Sequence, residues 1–172
     1  MTIARTIARS ALAATAIGIS ALATVSLAAA TPAGPWGNEQ SVIDAFPELL
    51  PATPTEYGYH HAFCEAHTDT NSYGEAGVSC YDQGGIAFTV DEYTDPSQID
   101  FLVRALGSGS STNGELRDGT TFTAYNGESD GQDFVIVTFD SVKLDNFTIF
   151  AAAIGGAPGD VEAWLADAPI GG

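Results

Sequence analysis

The chain has 172 residues, of which 22 are acidic and five are basic, so its formal charge at pH 7 is −17. A surface this negative repels phosphate groups and anionic lipid, which argues against nucleic-acid binding and membrane-surface binding. It favours cations or basic proteins as partners, and the plain alternative is that the acidic residues only keep the domain dispersed.

Residues 1–33 have the layout of a cleavable secretory signal. Arg5 and Arg9 are the only charged residues before Glu39, and an uncharged, alanine-rich run follows them from residue 11 to residue 30. Small residues suit cleavage after Ala30 or Ala33, whereas a retained membrane anchor is the alternative. The sequence therefore predicts a secreted protein of the extracellular space or cell envelope, without stable membrane insertion. Removal of the signal leaves three basic residues against 22 acidic ones, a charge of −19.

Residues 34–56 are predicted to form a proline- and glycine-rich lead, followed by a single α+β domain over residues 57–172. Apolar side chains between residues 41 and 50 recur at mostly helical spacing, so the lead is expected to contain one short helix. Pro47 lies inside that run, and Pro51 ends it.

The predicted domain alternates between short β runs and helices. Asp95-Pro96-Ser97-Gln98 is a strong helix start, and residues 134–137 lack polar alternation, as a strand buried on both faces does. The order predicted is strands at 59–66, 77–81 and 86–93, a helix from Asp95, a flexible loop at 107–114, strands at 120–125, 134–139 and 147–154, and a helix from near Pro158 to Pro169.

This pattern predicts an α+β fold, a two-layer sandwich in which helices cover a mostly antiparallel sheet of three to six strands. A shift of 62 residues aligns the apolar stripes of the last two helices and lays Phe88 on Phe150. The alignment suggests an internal ββα-type duplication. Its alternative is chance, because such a helix stripe is generic.

Cys64 and Cys80 both follow the signal and fall in predicted strands. In a chain bound for an oxidising compartment, a disulfide bond between them is expected. Catalytic or metal-bound thiols are the alternative, and the sequence has no CxxC motif to support them.

Three histidines surround Cys64, and His60 and His61 should point to opposite faces if their segment is a strand. A metal site would therefore need His61 and His67, or one of them with a carboxylate such as Glu65 or Asp69. Ordinary strand and loop histidines are the alternative.

Residues 126–133 resemble the first half of a calcium-binding loop, with Glu128, Asp130 and Asp133 among the oxygen donors. The second half does not match, because Val137 occupies the twelfth position, where a bidentate glutamate belongs. The alternative is an acidic hairpin turn.

No G-x-S-x-G, HExxH or similar catalytic motif is present in the sequence, and no cofactor is predicted. The many carboxylates leave a small secreted hydrolase as an alternative function, although no spacing selects two of them. Six tyrosines follow the signal. They are interpreted as packing residues or as an aromatic recognition face.

From residue 49 to residue 168 the chain resembles small extracytoplasmic Cys-pair domains of actinobacteria, some free and some fused outside membrane Ser/Thr kinases. The resemblance rests on Leu50-Pro51, Tyr57-Gly58-Tyr59, Cys64, Cys80 and residues 88–106. It implies a ligand-sensing or interaction role. We therefore expect a noncatalytic binding module for a protein, peptide or small ligand, with a carboxylate-dependent hydrolase or a cation-binding envelope protein as alternatives.

Overall fold

The computed structural model describes residues 34–67, 76–107, 109–116, 118–154 and 159–170. Several predictions from the sequence fall outside these residues. They are the export signal with its cleavage site, the possible ligand Asp69, Tyr73 and the start of the last helix at Pro158.

Within the described residues, single α-helices alternate with groups of three or four β-strands. The helices are α1 (Gln40–Ala45), α2 (Ser97–Leu106) and α3 (Asp160–Asp167), with 3₁₀ turns at Gly37–Glu39 and Tyr59–His61. The strands are β1 (Phe63–Ala66), β2 (Ala76–Tyr81), β3 (Ile86–Glu92), β4 (Ser111–Glu115), β5 (Thr121–Ser129), β6 (Gln132–Phe139) and β7 (Phe147–Ala153).

The seven described strands form one sheet in the order β1-β2-β3-β7-β6-β5-β4, and every neighbouring pair is antiparallel. The predicted α+β class and the predominantly antiparallel sheet are therefore confirmed, whereas the predicted number of three to six strands is wrong, because the described sheet has seven. The strand over residues 134–137 is also confirmed as interior, because its four side chains are all buried. β1 and β4 are the two edges of the sheet.

One face of the sheet, called here the first face, carries the larger core. Phe88 on β3 lies opposite Ala151 on β7, which lies opposite Val135 on β6. Helices α1 and α3 pack on this face, and the Trp164 ring of α3 lies 5.0 Å from that of Phe88. Each large apolar side chain buried in this way contributes roughly 1.5–3 kcal/mol to stability.

The opposite face, called the second face, is covered by α2 over β5, β6 and β7. Ile99 and Leu102 of α2 are buried against Phe134 and Ile136, and Phe150 packs beside them. The helix begins where the sequence predicts, because the Asp95 carboxylate accepts a hydrogen bond of 2.9 Å from the Ser97 amide.

The segment predicted as a lead, residues 34–56, contributes side chains to the core of the domain. Trp36, Phe46 and Leu49 are buried in the first-face core, and the Trp36 indole donates a hydrogen bond of 3.0 Å to the Pro51 carbonyl. The helix predicted over residues 41–50 ends at Ala45. The reason is that Phe46 precedes a proline, a position that disfavours helical backbone.

The strand predicted over residues 59–66 is wrong in its first half. The expectation that His60 and His61 point to opposite faces of a strand is therefore wrong as well. Tyr59–His61 forms a 3₁₀ turn in which His60 and His61 have φ angles of 52° and 57°. Non-glycine residues rarely adopt this left-handed conformation. The His60 ring stacks on Tyr59, with ring centroids 3.9 Å apart.

The flexible loop predicted over residues 107–114 is also wrong, because residues 111–115 form the edge strand β4. Residues 126–133, in contrast, are the acidic hairpin that was the alternative to a calcium loop. Glu128 and Asp133 are opposite each other on β5 and β6, and Asp130 and Gly131 make the turn with φ angles of 53° and 78°. Two positive φ angles are typical of a type I′ hairpin turn.

The internal duplication stays a prediction. Phe88 and Phe150, which the shift of 62 residues aligns, point to opposite faces of the sheet, since Phe150 lies opposite Thr89. The helices differ in the same way, because the buried residues of α2 belong to the second-face cluster and those of α3 to the first. Among the described residues no helix is long and apolar enough to cross a membrane.

Candidate functional site

The disulfide bond predicted from the sequence joins β1 to β2. Cys64 and Cys80 are directly opposite each other in the ladder, with Cα atoms 4.1 Å apart and bonded sulfur atoms. The flanking amide of His67 donates to the Gly77 carbonyl, which places the cysteines at a non-hydrogen-bonded pair, where opposite side chains approach most closely. Both cysteines are buried in the first-face core.

His61 and His67 do not lie together, because they flank the two ends of β1. The side chain of His61 is exposed beside Tyr57, whereas His67 is partly buried on the second face. Within the described part of the chain, no three His, Cys, Asp or Glu side chains gather as a metal site requires. The same applies to Glu128, Asp130 and Asp133, which lie along the β5–β6 hairpin.

His67 instead meets two residues that the sequence did not connect with it. Its Nε2 atom is 2.9 Å from the Ser79 hydroxyl and 3.8 Å from Asp91 Oδ1. Gly77 makes this approach possible, because a Cβ atom there would overlap the Asp91 carboxylate and press on the His67 ring. We call His67, Ser79 and Asp91 the second-face polar cluster.

Asp91 is the most perturbed group of this cluster. Its side chain is only 13% exposed, and Oδ1 has no hydrogen-bond donor among the described residues. Burial raises the pKa of Asp91, while the nearby His67 ring and a hydrogen bond from Thr89 act in the opposite direction. The buried hydroxyl of Thr148, opposite Asp91 on β7, has no partner in the described chain either.

The polar cluster does not have the geometry of a nucleophilic triad. In a triad the serine and the carboxylate bind different nitrogens of the histidine, so that the carboxylate orients the ring while the other nitrogen takes the proton. Here Ser79 and Asp91 approach the same Nε2 atom. Ser79 also lies within β2, which pairs with strands on both sides, so the ladder engages the local amides that could stabilise an oxyanion.

The five described tyrosines do not form one recognition face. Tyr93 and Tyr125 pack in the second-face cluster, and Tyr59 packs on the first-face core against Trp164. Tyr57 and Tyr81 are 64% and 51% exposed and belong to different segments. Most of the described tyrosines are therefore packing residues.

A groove of about 470 Å³ lies between α3 and the β4–β5 edge of the first face, and we call it the α3 groove. Its apolar lining comes from both sides: Leu116, Phe122 and Ala124 from the sheet, and Leu165, Ala168 and Ile170 from α3 and the residues after it. A volume of this size is within the range of ligand-binding pockets in proteins.

Glycine shapes the floor of the α3 groove. Gly114 on β4 lies opposite Phe122 on β5, and a Cβ atom at residue 114 would overlap the Phe122 ring. The end of the ring therefore lies over the glycine, and the ring forms an apolar surface beside the sheet edge. Because Phe122 is only partly buried, this surface is accessible from the groove.

The charged groups of the described residues at the groove are all of one sign. Glu162 and Asp167 of α3 line it, and no basic side chain is among the described residues that do so. Glu115 of β4 contributes its backbone, while its side chain alternates onto the second face at the same edge of the sheet. Glu162 and Asp167 are exposed, so their charges are available to a ligand. The groove thus combines an apolar floor with a negative rim.

The sequence offered little sign of the α3 groove or of the second-face polar cluster. β4 and α3 are brought together by the strand order of the sheet, and the polar cluster depends on the register of β1, β2 and β3. One signal was present, because Gly77 lies in a predicted strand. A glycine inside a strand often marks a position that another group approaches closely.

No protein-family model matches the chain, and no similar protein is found among the curated proteins or the solved structures. The resemblance to extracytoplasmic domains of actinobacteria stays a prediction.

Proposed function

We propose that the protein is a secreted, noncatalytic binding module that holds a basic peptide segment of a partner protein in the α3 groove. The observation that carries the proposal is the groove itself, a cavity of about 470 Å³ with an apolar floor beside the Glu162 and Asp167 carboxylates. The same kind of role is implied by the resemblance to extracytoplasmic interaction domains.

The charge of the whole chain supports a basic partner over an acidic one. The net charge of −17 attracts cationic segments over long distances and raises their rate of encounter. Exposed ion pairs alone are weak, typically about 0.2–1 kcal/mol each. The apolar floor is therefore needed to give affinity, while the carboxylates select the sign of the charge.

The proposal is tested with a defined probe, an acetylated and amidated nonapeptide in which lysine and valine alternate, with lysine at both ends. Titration calorimetry on the protein without residues 1–33 should show binding, and a peptide with glutamate in place of lysine should not bind. A peptide with serine in place of valine should bind at least about tenfold more weakly, because it cannot use the apolar floor.

Two matched double variants locate the site. Replacement of one carboxylate at the β4 edge and one at the groove rim, Glu115→Gln with Asp167→Asn, should weaken binding about three- to tenfold. The control, Glu65→Gln with Asp100→Asn, makes the same change of net charge on β1 and α2, away from the groove, and should change the affinity less than twofold. Equal losses in both variants would mean general charge attraction without a site, and no binding of the lysine peptide at millimolar concentration would refute the proposed function.

Export is the second part of this proposal. The support is the alanine-rich run behind Arg5 and Arg9, together with a disulfide bond, which persists in oxidising compartments. Expression of the full chain in a bacterial host, followed by N-terminal sequencing of the protein from the culture medium and envelope, should give a start at residue 31 or 34. Recovery of only the uncleaved chain in the cytoplasm would contradict it.

A further inference from the structure

β4 has an open side along the length of the α3 groove. In the described sheet this edge strand pairs only with β5, over Ser111–Glu115. The N–H and C=O groups on its other side point away from the sheet.

The ladder identifies which residues carry those outward groups. The Asn126 amide donates to the Ser110 carbonyl at 3.0 Å, and the Leu116 amide donates to the Thr120 carbonyl at 2.7 Å. Antiparallel ladders alternate between hydrogen-bonded and non-hydrogen-bonded pairs. The bonded positions of β4 are therefore the even residues from 110 to 116, and Ser111, Asn113 and Glu115 direct their backbone groups outward.

The side chains of β4 alternate between the two faces of the sheet. Thr112 and Gly114 are on the first face, where they line the α3 groove beside Phe122. A chain hydrogen-bonded to β4 would run about 4.8 Å away and would place every second side chain on the first face. The outward backbone groups and the apolar groove are thus positioned for one extended ligand.

β4 also lacks the features that usually protect an edge strand. Such strands commonly carry lysine, proline or a bulge that prevents pairing with another chain. β4 has the sequence Ser-Thr-Asn-Gly-Glu, whose single charge is Glu115. That charge, with Glu162 and Asp167, disfavours a second copy of this acidic chain and favours a basic segment.

We propose that the basic segment binds as an eighth strand, antiparallel to β4, with hydrogen bonds to Ser111, Asn113 and Glu115 and alternate side chains in the α3 groove. This inference rests on the proposed function and specifies how the partner is held. Strand addition of this kind takes affinity from main-chain hydrogen bonds and specificity from pockets for alternate side chains.

N-methylated peptides test the inference directly. An antiparallel strand whose valines face the groove uses its lysine amides to bind β4, because bonded partners in an antiparallel pair share a face. N-methylation of the three interior lysines should therefore weaken binding at least about tenfold, while N-methylation of three valines should change it less than about threefold. If only the peptides methylated at valine lost affinity, the bound strand would be parallel to β4, which would overturn the antiparallel arrangement. Equal losses of affinity in the two series would overturn strand addition.

A pair of protein variants provides an independent readout. Asn113→Pro removes one outward amide from β4, and it also removes the hydrogen bond of 3.1 Å from Thr123 Oγ1 to Asn113 Oδ1. Asn113→Ala removes only the side-chain bond. Binding of the lysine–valine peptide should fall at least about fivefold in the proline variant and stay within twofold of wild type in the alanine variant. Equal affinity in the two variants would overturn the inference.

These outcomes separate the two proposals. If the peptide binds and the carboxylate variants weaken it, but N-methylation shows no alternation, the groove binds basic ligands without strand addition. If no basic peptide binds, both proposals fail. Sedimentation of the protein alone tests the other occupant, because a dimer that Asn113→Pro dissociates would assign the edge to a second copy of this chain and overturn the inference. Should the proline variant not fold, the peptide series on the wild-type protein decides the question.

Discussion

The ring of Phe134 lies directly over Gly127 on the neighbouring strand. The two residues are opposite each other on β6 and β5, and a Cβ atom at residue 127 would overlap the end of the ring. On its other side the ring stacks on Phe150, with centroids 5.2 Å apart. Phe134 is therefore held between the backbone of β5 and a second aromatic ring.

Gly127→Ala should destabilise the protein by about 1–3 kcal/mol, because the buried Phe134 ring has no room to move away. Gly114→Ala is the matched comparison, since Phe122 lies over that glycine in the same way but is only partly buried at the groove. Its cost should stay below about 1 kcal/mol. Urea denaturation of the two variants measures the difference, and an equal loss in both would contradict this account.

Asp82 closes the β2–β3 hairpin and provides a second test of stability. Its side chain is 1% exposed, and Oδ1 accepts a hydrogen bond of 2.8 Å from the Ile86 amide. Asp82→Ala should lower the free energy of unfolding by about 2 kcal/mol, since the Ile86 amide loses its charged acceptor. Asp82→Asn keeps an acceptor oxygen and should lose about half as much. A loss in the asparagine variant as large as in the alanine variant would show that the hydrogen bond is not the cause.

The buried carboxylate of Asp91 predicts a dependence of stability on pH. Because burial raises the pKa of Asp91 above 3.8, the folded protein holds this proton more tightly than the unfolded chain does. Asp91 therefore favours the fold most at low pH, and this contribution is lost as pH rises through the raised pKa. Asp91→Asn removes the ionisable group, so its stability relative to wild type should increase with pH and reach about 1 kcal/mol at pH 7.

Chemical denaturation between pH 3 and pH 7 measures this difference. Parallel curves for wild type and Asp91→Asn would contradict the prediction. His67→Gln provides a further check: it removes the neighbour that lowers the pKa of Asp91, so the decline in stability should extend to higher pH than in wild type.

The disulfide bond should contribute about 3 kcal/mol to stability, since it closes a loop between residues 16 positions apart in the sequence. Replacement of both Cys64 and Cys80 by alanine should cause that loss in denaturation experiments. Addition of a reductant should bring the wild-type protein close to the variant and leave the variant unchanged. An effect of reductant on the variant would show that another cause is involved.

Local sequence signals predicted most of the sheet and the pairing of its cysteines. The strands β3, β6 and β7 could be predicted from the period and the residue types of their apolar runs alone. Asp95 before a proline marked the start of α2. β4 was missed because Ser-Thr-Asn-Gly has the composition of a loop, and a strand at the polar edge of a sheet needs few apolar residues. The turn at His60 and His61 was missed because left-handed backbone in two successive non-glycine residues is rare.

The candidate sites could not be predicted in the same way. The contact between His67 and Ser79 depends on the register of two strands. The position of Phe122 and Leu165 on the same groove depends on strand order across the whole sheet. Both are long-range properties of the fold, and no spacing within the sequence encodes them.

The covalent link between β1 and β2 has a consequence for cleavage by proteases. A single cut in the backbone anywhere between Cys64 and Cys80 leaves both fragments in one molecule, because the bonded sulfur atoms bridge the cut. Such a nicked protein would keep its apparent size on a non-reducing gel and separate into two bands only after reduction. The β1 edge of the sheet therefore stays attached after such a cut, whereas the fragments from a cut beyond residue 80 are not joined by this bridge.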